Sequence, residues 1–202
     1  MGNIELFNKM AAGYDSPERL EVATVIAGAI RTKLVAGRHK SAIDYGCGTG
    51  LVGLQLLDDF KEILFIDGSA KMVEEVSRKI EQLKVPYHKT SVLCANLETE
   101  NPNNLKADYI LVVQTLLHIK EYKPLLASLY KILNQDGRLI VVDFDKNEAV
   151  SHDLVHNGFE QAQLSHQLKE IGFSAVNSRT FYEGDKLFMK QSASLFIMEA
   201  VK

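Results

Sequence analysis

The sequence predicts an α/β protein on a doubly wound, mostly parallel sheet, and three observations carry that prediction. Short apolar runs alternate with segments of helical periodicity five times, the pattern of parallel strands joined by crossover helices. The first run leads into SAIDYGCGTGLVG, where Gly46, Gly48 and Gly50 remove every second side chain from a turn. The chain closes on two extended runs, 174–182 and 193–201, joined only by the polar stretch EGDKLFMKQS. That leaves no room for a crossover helix, so the two should pair antiparallel.

A chain of 202 residues suits one domain with a sizeable core. The expected organisation is a single domain over 1–202, with residues 1–40 as an amino-terminal helical lid. A net charge of −3 supplies no general attraction for phosphate backbones, so nucleic acid is a disfavoured partner. No apolar run reaches the length of a membrane span, and MGNIELFNKM lacks the apolar core of a signal peptide. A cytoplasmic protein is expected, and its oligomeric state is not encoded in any legible pattern. Cys47 and Cys94 make no metal pattern and read as small core residues.

Residues 3–15 are amphipathic and end in a tyrosine and an aspartate that no core pattern demands. Ser16 and Pro17 suit an N-cap and first helical position, and Val22, Ile26, Ala29, Ile30 and Leu34 recur at helical spacing. That helix should run to about Val35 and stop near Gly37. Ala42, Ile43 and Tyr45 mark the first strand, and a helix should follow the glycine turn to about Asp59. The run EILFI at 62–66 is a strand buried on both faces and ended by Asp67. Ser69 then caps a helix facing inward with Met72, Val73, Val76, Ile80 and Leu83, broken by Pro86. SVLCA at 91–95 is the third strand, with Asn96 just beyond it and a surface loop at 101–104. YILVV at 109–113 is the fourth, followed by Gln114 and Thr115. Pro124 opens a helix that Gly137 stops, RLIVVD at 138–143 is the fifth strand, and a last helix spans about Phe159 to Ile171.

In an open sheet of this kind the ligand lies beyond the carboxyl ends of the strands. The groups delivered there are the glycine turn, Asp67, Asn96 and Gln114. An ionised carboxylate ending the second strand can accept both hydroxyls of a ribose, which points to a nucleoside derivative. A turn that needs glycine for its geometry alone is the competing reading. Two ligand classes stay open, because Gly48, Gly50 and Gly53 also satisfy GxGxxG and Asp67 lies 19 residues after Gly48, near the spacing of an NAD site. Asp44 and the antiparallel tail argue against NAD, since a carboxylate beside the turn suits a cationic ligand better than a pyrophosphate.

The segment AIDYGCGTG resembles the first motif of class I S-adenosylmethionine-dependent methyltransferases, and FNKMAAGYD with LNQDGRLIVVDFDK resembles their small quinone-biosynthesis-type (UbiE-like) branch. The resemblance covers about residues 7–200. It implies a Rossmann-like sheet of seven strands in order 3-2-1-4-5-7-6 with the last antiparallel. It also implies S-adenosyl-L-methionine as cofactor and methyl transfer to a small-molecule acceptor by in-line displacement. Carried over by position, it sets the backbone of Gly46, Cys47 and Gly48 against the methionine and ribose parts of the cofactor. Asp44 would help hold the cationic amino end, Asp67 would take the ribose hydroxyls, and Gly68, Ser69 and Ala70 would lie on the adenine side. Asn96, followed by Leu97, stands where relatives usually carry aspartate before a small apolar residue; its amide oxygen can accept from the adenine amine. Tyr14 would fold over the methionine end, and Gln114 would contribute backbone near the sulfonium. His118 occupies the second histidine position of an LHHI-like stretch in which Leu117 replaces the first.

Such a cofactor carries its own leaving group, so no catalytic triad is required. Candidates for a general base are His118, Tyr14 and Asp143. Their alternative roles are a helix start, a cofactor lid and a strand end. His152 and His156 lack a third ligand at suitable spacing and read as surface residues, so no metal is expected. Lys84, His88 and Lys89 cluster near Tyr87 and read as a solvated loop. Phe144, Leu154, Val155 and Phe159 should border the pocket mouth and hint at an apolar or aromatic acceptor. An NAD-type oxidoreductase and a non-catalytic cofactor-binding module remain the alternatives.

Overall fold

A computed structural model describes residues 2–99 and 104–202, so most of the loop expected at 101–104 falls outside the described residues. Two compact units, Met1–Pro102 and Asn103–Lys202, emerge from its contacts.

The first unit opens with helix α1 (Gly2–Met10), a 3₁₀ turn at Ala11–Gly13 and helix α2 (Pro17–Arg31). Ser16 caps α2 by accepting the Arg19 N–H at 3.3 Å, with Pro17 at the first position as its spacing predicts. The helix ends four residues early, because Thr32 and Lys33 bond to Ala29 and Ile30 in tighter i→i−3 fashion and Ala36 turns left-handed at φ 52°. Strands β1 (Ser41–Tyr45), β2 (Glu62–Asp67) and β3 (Thr90–Cys94) run parallel, with Ile43 opposite Leu64 and Phe65 opposite Val92. Helix α3 (Ala70–Gln82) crosses between β2 and β3, its N-cap Ser69 accepting the Met72 N–H.

Two expectations are corrected here. The helix predicted after the glycine turn is only a 3₁₀ turn at Gly53–Leu56. Glycines at 50 and 53 are poor helix formers, and the Gly53 N–H is drawn to the Asp44 carboxylate instead of the helical ladder. Cys94 is exposed, not a core residue, because β3 is an edge strand.

The second unit contains β4 (Ala107–Val113), helix α4 (Tyr122–Ile132), β5 (Leu133–Phe144), helix α5 (Gln161–Ile171), β6 (Ser174–Phe188) and β7 (Gln191–Val201). β4 and β5 are parallel, while β7 runs antiparallel to both β5 and β6. The seven strands take the order β3-β2-β1-β4-β5-β7-β6, as the resemblance implies. Gly137 does not stop α4: the chain turns extended at Leu133, which pairs with Ala107. Nor is 183–192 a polar link, since the hairpin closes in a two-residue turn at Met189 and Lys190, both left-handed at φ 49° and 65°.

Candidate functional site

β1 delivers the glycine turn. Gly46 and Cys47 donate backbone N–H groups to the Ile66 carbonyl at 2.8 and 3.1 Å, which ties the turn to the end of β2. Gly46, Gly48 and Gly50 all have positive φ, and at Gly48 (φ 54°) any side chain would strain the backbone. Asp67 closes the arrangement. Its two carboxylate oxygens accept the Gly48 N–H at 2.9 Å and the Ser69 N–H at 2.8 Å. Burial raises its pKa and these two bonds oppose the rise. The side chain is only partly buried, and each oxygen retains a lone pair for a hydroxyl.

Asp44 is almost fully enclosed and accepts the Gly53 N–H. A Cβ on Gly53 would lie 2.3 Å from its Oδ2, so glycine is required there for contact. Burial, with the nearby Asp67 charge, pushes the Asp44 pKa up to about 7. A cation beside it would favour the ionised form. The Cys47 thiol is pushed well above its usual range by burial, then by Asp44 and Asp67, so it stays protonated.

The amino-terminal segment lies over this turn. Tyr14 places its ring 4.0 Å from where a Gly48 Cβ would stand, and the Arg19 guanidinium sits 4.1 Å from the ring centroid. Burial raises the Tyr14 pKa against the pull of Arg19, so the phenol remains a donor. Asp15 accepts the Thr49 hydroxyl and pairs with Lys79 of α3, and Lys79 also donates to the Thr49 carbonyl at 2.6 Å. Near the carboxyl end of α1, the Asn8 oxygen accepts the Ser69 hydroxyl at 2.7 Å and the Lys71 N–H at 3.3 Å. Ile4 approaches the Cβ position of Gly68 to 3.1 Å. Asn8, Thr49 and Lys79 were not singled out by sequence reasoning, whereas Asp15 was, as an acid with no place in a core pattern.

Beyond β3, the Asn96 oxygen accepts the Glu98 N–H at 3.0 Å, turning the chain, and Leu97 is buried. The first unit thus gathers Tyr14, Asp44, Gly46, Cys47, Gly48, Asp67, Gly68, Ser69 and Asn96.

Gln114 and His118 belong to the second unit. Gln114 adopts φ 47°, rare for its type, and donates its N–H to the Val142 carbonyl at 2.7 Å. His118 ends a 3₁₀ turn at Leu116–His118, and burial drops its pKa to about 4, leaving it neutral at physiological pH. The completely buried Asp143 carboxylate holds that turn, accepting N–H groups from Leu116, Leu117 and Phe144. Burial raises its pKa to about 7, and it is a structural anchor, not an available base. His156 is half-buried instead of fully solvated: its ring nitrogen lies 2.9 Å from the Ile119 carbonyl, among the rings of Tyr122 and Phe159.

Phe144 is a core residue, not the rim of a pocket, whereas Phe159 is buried but lines a small cavity of about 190 Å³ with Tyr122, His156 and Leu164. Phe144 stacks on Phe188 at 4.1 Å and both are buried; Phe159 packs edge-on to Tyr122 at 5.3 Å. A groove of about 520 Å³ in this unit is lined by polar residues including Asp145, Glu183, Asp185 and Ser194.

Residues 43–139, just under half of the chain, match a family model described as a methyltransferase domain. An uncharacterised methyltransferase of Schizosaccharomyces pombe is 28% identical over 121 residues, 57% of this chain and 43% of that one. The (S)-coclaurine N-methyltransferase of Papaver somniferum is 29% identical over 140 residues, 66% of this chain and 38% of that one. The chain therefore spans less than half the length of these curated relatives. A SAM-dependent methyltransferase from Aquifex aeolicus has the same fold, with a TM-score of 0.72, 16% identity, and coverage of 96% and 97% of the two chains. The fold these comparisons show is a Rossmann-like seven-stranded sheet.

Proposed function

We propose that this chain is an S-adenosylmethionine-dependent methyltransferase acting on a small-molecule acceptor. The observation that carries the reading is the Asp67 carboxylate, which braces the Gly48 and Ser69 N–H groups while keeping acceptor capacity beside a turn that lacks every second side chain. Asp67 takes the ribose hydroxyls, the backbone of Gly46 to Gly48 lies against the methionine and ribose parts, and Asp44 favours a cationic ligand by its charge. Asn96, with its oxygen engaged by Glu98, faces the adenine with the remaining acceptor site and its amide N–H₂.

When bound, S-adenosylmethionine supplies an electrophilic methyl and its own leaving group. The chain's task is then to orient and to exclude water. Tyr14 and residues 1–40 act as the lid of a single domain over 1–202. In the second unit the resemblance assigns the Gln114 backbone to the sulfonium and sets His118 at the second histidine position of an LHHI-like stretch. With a pKa near 4, His118 serves as a neutral hydrogen-bonding group and not as a strong base. The quinone-biosynthesis-type branch and a cytoplasmic setting belong to this proposal. The first rests on FNKMAAGYD and LNQDGRLIVVDFDK, and the second on composition.

Thermal unfolding with added ligand tests the reading. S-adenosylhomocysteine at a hundred times its dissociation constant should stabilise the fold by about 2.7 kcal/mol, and NAD should not. Stabilisation by NAD alone would transfer the site to the oxidoreductase class.

A further inference from the structure

At the edge where β1, β2 and β3 begin, the first unit carries a surface with no part in the site described above. Lys61 donates its N–H to the Lys40 carbonyl and Ile63 donates to the Lys89 carbonyl, both at 2.9 Å, so the residues opening the three strands lie in adjacent rows. The loops before them share this edge. A Cβ on Gly37 would stand 2.5 Å from the Asp59 carbonyl, and the Lys89 ammonium reaches the Leu57 carbonyl at 3.2 Å.

This edge is positive and studded with apolar tips. Segments 31–40, 57–62 and 81–89 hold seven Lys and Arg against four Asp and Glu, a net +3 within a chain of net −3. Val35, Leu83 and Tyr87 stand 57%, 62% and 92% exposed. At the end of α3 the Lys84 and Val85 N–H groups bond to the Glu81 and Ile80 carbonyls, a Schellman closure. Lys84 fills the left-handed position at φ 52° where glycine is usual. The closure fixes Leu83 outward on a rigid turn with a cation next to it.

We propose that this edge docks on an anionic lipid bilayer, with Leu83, Tyr87 and Val35 entering the interface and the flanking lysines and Arg38 facing the headgroups. Aliphatic tips ringed by cations suit a surface that is charged outside and apolar beneath. Nucleic acid fits less well, since Leu83 and Val35 offer nothing to a base edge and Tyr87 alone provides a stacking face. The proposal is independent of the methyl-transfer reading.

The chain has no tryptophan, so Tyr87→Trp installs a single reporter at the most exposed tip. Mixed with vesicles of phosphatidylcholine containing phosphatidylglycerol, this variant should shift its emission to shorter wavelength and co-sediment. With phosphatidylcholine alone it should do neither, and added salt should release it. Leu83→Ser combined with Lys84→Glu should weaken retention by roughly tenfold or more without changing the melting temperature. Absence of the emission shift, retention unaffected by the double substitution, or binding of a single-stranded oligonucleotide without binding of vesicles would each overturn the proposal.

Discussion

Asp67 holds one backbone N–H on each carboxylate oxygen, from Gly48 and from Ser69, and so fixes the ends of two elements with a single side chain. Its neighbour Asp44 works inward, against Gly53. Gly53→Ala would drive a methyl to 2.3 Å from Asp44 and 2.6 Å from Phe65. It should cost about 1–3 kcal/mol, as overpacking does, read as a lower urea midpoint. The two buried acids also make a pH prediction. Asp44 and Asp143 keep their protons in the fold to about pH 7, whereas their ordinary value is 3.8. The folded state therefore binds more protons between about pH 4 and pH 7, and their contribution to stability falls as pH rises through that window. His118, held neutral in the fold down to about pH 4 against an ordinary value of 6.5, acts in the opposite sense between about pH 4 and 6.5. Asp143→Asn should flatten the decline relative to the parent between pH 5 and 7 in denaturation midpoints; parallel curves would refute it. At this scale Asp67 was legible because an acid ended an apolar run. The ion pair of Asp15 with Lys79 was not, because nothing local in either segment marks a partner that distant in sequence.

The amino-terminal segment is latched at two points, by Asn8 on the start of α3 and by Asp15 on Thr49 and Lys79. Lys79→Ala removes the ion pair of the second latch and the bond from Lys79 to the Thr49 carbonyl, while the Thr49 hydroxyl can still donate to Asp15. Dissociation of S-adenosylhomocysteine should accelerate by roughly three- to tenfold, the effect expected of a partly buried ion pair, measured by stopped-flow displacement. An unchanged rate would show that the latch does not restrain the lid. In the terminal hairpin, Met189 and Lys190 occupy the two positive-φ positions of a two-residue turn. Lys190→Gly should stabilise the protein by roughly 0.5–1 kcal/mol, visible as a higher melting temperature. These elements also show where pattern reading succeeds. Ser16 and Ser69 announced two helix starts because capping is local chemistry. The missing helix after the glycine turn and the long hairpin were illegible: one depends on the tertiary bond from Gly53 to Asp44, the other closes in a turn with neither Asn nor Gly.

For the whole molecule, alternation of strands and helices foretold the parallel part of the sheet, and the short tail connection foretold the antiparallel closure. Burial on both faces explains why the central strands could be read from continuous apolar runs. Phe144 misled for the same reason: it is as apolar as a pocket rim requires, but it stacks on Phe188 in the core. The central claim concerns the sugar contact made by Asp67, and isothermal titration of S-adenosylhomocysteine into the parent and Asp67→Asn proteins tests it most directly. The parent should bind and the variant should bind roughly 10- to 100-fold more weakly, the loss expected for a charge-assisted hydrogen bond. Equal affinities, or no binding to the parent, would contradict the account.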